Sequence, residues 1–485
     1  QPYSRIADML LDYQYWSPND PQKNVYDDTG WTFGELGNVQ VVRITDLKVL
    51  DTPMDSVSGE IRAPGGVAGS GSLVAINHNA DNALMTLRYR LKSAAIEAAE
   101  EPFEAAGRKF NRGSFLIKGV DRGELERAAS ELGLQAAALT AAPEVKSHPV
   151  KAARIALIHT WLSTQDEGWW RHALDQLKIP YSYISTQEVA KNSDLNAKYD
   201  VILFPPVGRG GPQAIIDGMP MFGNPLPWEN NKLTPNLGKI DSTPDMRPGL
   251  GWAGVANLQS FARRGGLLLC VMDTSDLAVS LGFTPGVSIG RPQRLRATGT
   301  IVKTRLVDAT SPIAYGYGDS LSVYTYDGPI FNVSNMAGGR GGGRRRSPED
   351  RDRPTGRGTP DDPDTPQLRP AAEIPEEPHA ETWEAVPLTD EQRRNGIYII
   401  PPEYRPRVVL RFEDNSNLLV SGLLDGGTEM AQHAAVIDVP TEKGHVVLFS
   451  NNPIWRGETQ GSYFLVFNAI LNFDQLNAGR KLAEK

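Results

Sequence analysis

RIALIH at 154–159, DEGWWRHALDQLKI at 166–179, YSYIS at 181–185, TQEVAK at 186–191 and YDVILFPP at 199–206 form the stretch whose reading decides the fold. After a long intervening segment come VANLQSFARRGG at 255–266, LLLCVMD at 267–273 and TSDLAVSLG at 274–282. Short apolar runs rich in Ile, Val and Leu alternate with segments of helical period, which argues for an α/β unit with a parallel sheet covered by helices. Trp170, Leu174 and Leu177 share one face of the first helix, and Ser185 and Glu188 have capping-box spacing for the second. Val255, Leu258 and Phe261 make the buried face of the third, which Gly265 and Gly266 end. Thr274 or Ser275 is placed to cap the fourth, and Gly282 to close it. Parallel sheets of this kind bind ligands outside the carboxyl ends of their strands, beside a topological switch point.

Towards the N-terminus, residues 3–15 have Ile6, Met9, Leu10 and Tyr13 at the spacing of a short amphipathic helix. VQVVRITDLKVL at 39–50 alternates around Val39, Val41 and Ile44 and reads as a strand. APGGVAGSGS at 63–72 reads as a glycine-rich turn between strands; it lacks the Gly-Lys-Ser/Thr ending of a phosphate loop. LVAINH at 73–78 and GSFLIKG at 113–119 are strands. The Ala/Leu/Glu-rich 79–107 reads as mostly helix interrupted at Pro102, and 123–139 as a second helix closed near Gly133. Residues 1–150 are therefore expected to form an α+β segment with a small core of its own, and 151–297 the α/β unit.

Inside that unit, residues 205–254 are rich in Gly, Pro and Asn, and a structureless loop of that length tends to be functional. From residue 298 short strands take over, at 298–306, 321–326 and 329–334, then at 398–404, 407–413, 418–424, 434–440 and 445–453. SYFLVFNAILNF at 462–473 is apolar enough for a buried helix docked on the sheet. Residues 298–335 and 396–485 thus read as a β-rich completion that either extends the central sheet or layers on it. Between them, 336–395 is a charged, Pro/Gly/Arg-rich insertion expected to be disordered.

The chain has 485 residues, 40% of them hydrophobic, and a formal net charge of −8, which argues against nucleic acid as the main partner. No apolar run reaches transmembrane length. No charged-then-apolar leader follows Gln1, so any signal peptide is expected to have been removed. The single cysteine, Cys270, excludes an internal disulfide framework and a cysteine-rich metal site.

Three constellations could carry chemistry. His78 and Asp81 have His-x-x-carboxylate spacing, the first part of a zinc site, but a third ligand and a general base are needed. His148, His159, His172, His379, His433 and His445 are isolated and no HExxH occurs, so NHNAD is better read as a turn and no metal or other cofactor is expected. A nucleophile in a doubly wound hydrolase sits on a sharp strand-to-helix turn, here Met272–Ser275. Cys270 precedes that turn within a strand, where a thiol reads as a buried small hydrophobe, and capping accounts for Thr274 and Ser275. The third is a ligand pocket and carries no catalytic residue. Strand ends deliver His159, Trp161, Pro206 and Asp273, the long loop supplies Arg209, Asn224, Trp228 and Trp252, and Glu167, Trp169 and Arg456 lie close. Aromatic faces among polar groups suit a sugar or peptide; the alternative is that these tryptophans fill a loop–sheet interface.

YDDTGW at 26–31, HTWLSTQDEGWW at 159–170, YDVILFPP, GMPMFGNPLPW at 218–228, DMRPGLGW at 245–252, SPIAYGYGD at 311–319 and SNNPIWRGETQGSYFLVFNAIL at 450–471 together carry a resemblance. The chain resembles the C-terminal accessory region of large secreted bacterial zinc carboxypeptidase-like proteins, which has a flavodoxin-like, class I glutamine amidotransferase-like fold. The resemblance implies a secreted or periplasmic location and a zinc carboxypeptidase catalytic domain as partner, in cis or after processing. The family's zinc ligands and glutamate base map to no residue here, nor does a Cys–His–Glu set. The expectation is a non-catalytic accessory module holding a peptide, a glycan or a partner domain. A hydrolase acting at the 205–254 loop and a self-assembling extracellular protein, a homo-oligomer, are the alternatives. If Cys270 is a core residue, a thiol reagent will label it slowly in the native chain and fast after denaturation; fast native labelling would show an accessible thiolate.

Overall fold

The computed structural model describes residues 3–15, 30–59, 61–208, 210–337 and 388–480. Helices α1 (Ser4–Leu11) and α2 (Phe33–Leu36) come first. The chain then forms β1 (Gly66–Gly69), β2 (Leu73–Ile76), α3 (Ala83–Arg90), β3 (Ala95–Ala99), β4 (Phe103–Ala105), β5 (Arg108–Phe110), β6 (Phe115–Lys118), α4 (Arg122–Leu132), β7 (Gln135–Leu139) and β8 (Ser147–Pro149). Six of these strands make a sheet in the order β1-β7-β2-β6-β3-β8, antiparallel except for the β1–β7 pair, while β4 and β5 form a hairpin. Asp121 caps α4 by accepting from the Glu124 amide, and Gly133 ends it at φ +69°.

The second sheet has twelve strands. Its parallel part uses β9 (Ile155–His159), α5 (Gln165–Gln176), β10 (Ser182–Ser185), α6 (Thr186–Lys191), β11 (Val201–Phe204), α7 (Gly211–Asp217), α8 (Gly251–Arg263), β12 (Leu267–Val271) and α9 (Asp273–Ser280). There follow β13 (Val287–Gly290), β14 (Arg296–Leu306), β15 (Ser320–Thr325), β16 (Ile330–Val333), β17 (Met336–Ala337), α10 (Asp390–Arg394), β18 (Tyr398–Ile399), β19 (Arg407–Phe412), α11 (Asn415–Leu418), β20 (Leu419–Asp425), β21 (Ala434–Thr441), β22 (Gly444–Phe449) and α12 (Tyr463–Leu471). The main path is β10-β9-β11-β12-β22-β21-β19-β14-β15. Pairing is parallel from β10 to β22 and antiparallel beyond. The fold is thus mixed α/β with a parallel core, and the strand order reverses between β9 and β11. Of the two readings left open for the segment after 298, extension of the central sheet is the one observed, because β22 lies directly beside β12.

All nine residues of α12 are buried. The helix packs in the same apolar cluster as Val74, Ile76 and Ile96 of the first sheet and Leu157, Leu203 and Leu269 of the second. Its Asn468 and its C-cap Asn472 bond to residues of the N-terminal segment: His78 Nε2 lies 3.0 Å from Asn468 Oδ1, and His148 Nε2 lies 2.8 Å from Asn472 Oδ1. Asn468 Nδ2 also donates to the carbonyls of Ile313 and Tyr315, at 3.0 and 2.8 Å. His78 Nδ1 accepts from the Ala80 amide at 3.2 Å, so both ring nitrogens are engaged, and burial pushes the imidazole down to about 4. The histidine weighed as a zinc ligand is a neutral hydrogen-bonding strut.

Several expectations are corrected. No strand forms at 39–50: the segment joins no sheet, and only Leu47–Asp51 forms a 3-10 turn. Alternation specifies a strand only where a neighbour supplies the other half of the ladder. The 79–107 helix is confined to α3. AIEAA is β3, with Ile96, Ala98 and Ala99 buried, so sheet pairing overrides the helical propensity of alanine. QAAAL likewise becomes β7 once Gly133 has turned the chain, and Gly66–Gly69, expected as a turn, is an edge strand. Residues 205–254 are not structureless, since α7 and the start of α8 lie within them. The insertion expected at 336–395 falls outside the described residues from 338 to 387, and β17 and α10 occupy its flanks. Among the described residues no helix is long and apolar enough to cross a membrane.

Replacing Asn468 with alanine strands the His78 ring N–H and two buried carbonyls. We expect Asn468→Ala to lower the unfolding free energy by roughly 3 kcal/mol, read from urea titration; a change under about 1 kcal/mol would show that the helix can spare this network.

Candidate functional site

The carboxyl ends of β9, β11, β12 and β22 meet at one edge of the large sheet. At the end of β12, Met272 has φ +57° and ψ −118°, a conformation that costs a non-glycine residue about 1–3 kcal/mol and persists only where surrounding bonds impose it. Those bonds are present. Met272 N donates to Phe449 O at 2.8 Å, and Met272 O accepts from the Ser275 and Asp276 amides at 3.0 and 3.2 Å. The turn has the strand-to-helix shape that exposes a nucleophile in hydrolases, but it carries a thioether. Neither hydroxyl caps α9 as expected. Thr274 Oγ1 accepts from Val271 N at 2.8 Å and donates to Phe204 O at 2.6 Å, while Ser275 Oγ bonds to the backbone of Phe449. Cys270 is buried within β12 among Phe204, Leu258 and Leu277, and burial pushes its thiol far above the usual range.

Asp273 follows the strained turn. Its carboxylate accepts from the amides of Val207 and Gly208 at 2.9 and 2.8 Å, just past buried Pro206. Burial pushes the group up, and these amides oppose that effect. Asp166 approaches the same loop: a Cβ on Gly208 would stand 3.4 Å from Asp166 Oδ2. Tyr326 OH donates to Asp166 Oδ1 at 3.3 Å, and burial, then Asp166 and Asp273, hold the phenol well above its ordinary range. Two carboxylates and a phenol therefore share the space over β11 and β12.

A second group lies over β9. His159 stacks on Tyr183 with ring centroids 4.2 Å apart and meets the Trp161 ring edge-on at 4.8 Å. Its Nε2 lies 2.7 Å from Asp241 Oδ2, and burial outweighs that carboxylate, keeping the imidazole pKa low. Tyr183 OH donates to Glu167 Oε1 at 2.6 Å, and the Arg171 guanidinium lies 4.6 Å from the Tyr183 ring centroid. Glu167 is pushed up to about 7 by burial, and its Oε2 is buried without a hydrogen-bond partner. A third group surrounds Trp455, which stacks on Tyr324 at 5.4 Å, lies 6.5 Å from Trp169 and carries Arg456 over its face at 5.0 Å. Here Asn451 is fully buried with neither amide atom bonded, and the indole N–H groups of Trp161, Trp169 and Trp455 also lack partners. Each unsatisfied buried group costs about 1–3 kcal/mol, so their gathering at one sheet edge marks a place that a polar guest or ordered water would stabilise.

The segment between α7 and α8 is a flap folded back on itself. Gly218 bridges to Pro248 and Trp228 to Thr243. The Arg247 guanidinium holds the Asp245 carboxyl well below its usual range and donates to Phe222 O at 2.9 Å. Gln187 on α6 receives Thr243 Oγ1 at 2.8 Å, so the flap is tied to the sheet through Gln187 and through His159–Asp241.

Of the residues singled out from sequence, His159, Trp161 and Trp228 come together, and so do Trp169 and Arg456 around Trp455; Glu167 and Asp273 face the groups between. Asn224 is exposed on the flap, and Trp252 is 66% exposed at the start of α8, away from the convergence. Arg209 lies outside the described residues. Sequence reading missed Asp166, Tyr183, Asp241, Tyr326, Asn451 and Trp455. Of these, Asp166, Tyr183, Asn451 and Trp455 stood inside quoted stretches, and no spacing rule links Tyr326 to a helix 160 residues earlier. Among the described residues no group of three or more His, Cys, Asp or Glu could hold a metal ion.

No protein-family model and no curated protein matches the chain. Solved structures similar to it include a ThuA-like protein from Bacteroides uniformis, at 10% identity and TM-score 0.28, covering 67% of this chain and 93% of that one. A GMP synthase protein from Thermoplasma acidophilum follows at 8% identity and TM-score 0.29, covering 65% and 94%. A cytoplasmic protein from Salmonella typhimurium matches at 10% identity and TM-score 0.27, covering 67% and 90%. Likenesses of this size leave the chemistry to be argued from the residues themselves.

Because the folded pKa of Glu167 is raised to about 7 from 4.5, its contribution is fully present below pH 4.5 and is lost as pH rises through 7. Glu167→Gln removes that loss. The variant should therefore gain stability over the parent at pH 8 relative to pH 5, by up to about 3 kcal/mol in paired urea titrations. Equal shifts at both pH values would show that the carboxyl is ionised at no cost.

Proposed function

We propose that this chain is a non-catalytic binding module that holds a peptide, a glycan or a partner domain at the carboxyl edge of its large sheet. The observation that carries the reading is Met272. A thioether has no proton to surrender and cannot take the role that a hydroxyl or thiol plays on a strained strand-to-helix turn. The neighbouring candidates are committed elsewhere, Thr274 and Ser275 to backbone bonds and Cys270 to the core. Indole faces at Trp161, Trp169 and Trp455, beside Asn451 and Glu167, supply the mix of flat apolar surface and polar atoms that suits a sugar ring or a peptide. The long motifs that resemble the accessory region of exported zinc carboxypeptidase-like proteins support the finer form of this reading. In that form the module is exported and serves a carboxypeptidase catalytic domain, in cis or after processing.

A second reading, hydrolase action at the 205–254 flap, has one observation in its favour: Glu167, poised near 7, has the protonation behaviour of a general acid.

Titration with oligosaccharides and with peptides, followed by tryptophan fluorescence, tests both. The binding reading expects saturable quenching without turnover, weakened about tenfold or more in Trp169→Ala, since a stacking indole contributes on that order. Turnover with a pH limb near 7 that Glu167→Gln abolishes would replace it with the hydrolase. No saturable binding by either class would remove the ligand-holding role.

A further inference from the structure

The segment predicted as a strand at 39–50 is left over once the fold is built. It joins neither sheet, and from Val39 to Ser58 every residue is exposed. The exposure includes Val42 at 69%, Ile44 at 64%, Leu47 at 78% and Leu50 at 71%. The arm is moored at one end: Arg43 pairs with Asp8 and Asp12, on and just after α1. A run of exposed aliphatic side chains is a surface that calls for a partner.

We propose that residues 42–52 of this arm pair antiparallel with the same residues of a second copy of the chain, about a two-fold axis through Leu47. The charge order identifies the occupant. Within VVRITDLKVLDT the charges are Arg43, Asp46, Lys48 and Asp51. With Leu47 opposite itself, Arg43 faces Asp51 of the second copy and Asp46 faces its Lys48, so all four charges meet the opposite sign. Ile44 then faces Leu50, and Thr45 faces Val49. Moving the register by two residues sets Asp46 against Asp46 or Lys48 against Lys48, and a parallel in-register pair sets every charge against itself. The sequence is thus complementary to its own copy in one antiparallel register, the property an isologous contact requires.

Little opposes the change. The turn at Leu47–Asp51 is held by Val49 N to Asp46 O at 3.1 Å, Thr52 N to Val49 O at 3.3 Å and Lys48 N to Asp46 Oδ1 at 2.9 Å, bonds that a ladder replaces. The Arg43 ion pairs are exposed and contribute little, so exchanging them costs little.

Sedimentation velocity of the purified chain over a wide concentration range tests the pairing. A concentration-dependent monomer–dimer equilibrium is expected. Lys48→Asp turns two attractions per dimer into repulsions and should raise the dissociation constant about tenfold or more, and Leu47→Asp, with two carboxylates on the axis, should do at least as much. The double exchange Asp46→Lys with Lys48→Asp restores opposite signs and should return the constant to within about threefold of the parent. Because the arm is exposed, circular dichroism should report an unchanged fold in all three. A monomer at every concentration, a dimer indifferent to Lys48→Asp or Leu47→Asp, or a double exchange that fails to restore pairing would overturn the proposal.

Discussion

A helix with no exposed face must satisfy every polar atom it carries from the protein around it. Helix α12 meets that demand through Asn468 and Asn472, and the groups that answer them come from elsewhere in the chain: His78 after β2, His148 on β8, and the carbonyls of Ile313 and Tyr315. The same helix is the apolar filling on which both sheets rest. These few bonds therefore do more than saturate donors and acceptors. They fix the first sheet relative to the second and occupy His78 Nε2, while burial keeps that imidazole neutral against the opposing pull of the Asn468 bond.

The sheet edge obeys a different constraint. Met272 is held in an unfavourable backbone region by bonds to β22 and to the first turn of α9. Around that strained point the protein concentrates what is costly to bury: Asp166, Asp273 and Tyr326 on one side, Glu167, Tyr183 and His159 on the other, and an unsatisfied Asn451 nearby. Strain and unpaired polarity in one place are the marks of a site rather than of a core. Aromatic faces and buried hydrogen-bonding groups line that edge, and the flap is tied to it through His159 and Asp241.

Much of the fold was legible because its central strands are buried on both faces. RIALIH, YDVILFPP and LLLCVMD have no polar alternation to confuse them, and the helices between them carry ordinary caps, as at Ser185, which accepts from the Glu188 amide. The misreadings share a cause. Alanine-rich AIEAA and QAAAL look helical in isolation and become strands because neighbours accept their small side chains, whereas 39–50 pairs with no strand among the described residues. The site was most legible where one motif supplied several members, as HTWLSTQDEGWW supplied His159, Trp161, Glu167 and Trp169. Tyr326 and Asn451 arrive from distant parts of the chain, and the backbone strain at Met272 leaves no trace in residue type.

The place of β22 has a consequence for how the chain is made. β12 ends at residue 271, yet its neighbour on one side is drawn from residues 445–449. A nascent polypeptide leaving the ribosome therefore carries an open, fully apolar ladder edge through the synthesis of about 170 further residues, a delay of roughly ten to thirty seconds at ordinary elongation rates. During that interval the half-built sheet is sticky, and its protection falls to chaperones or to transient cover by the helices already formed.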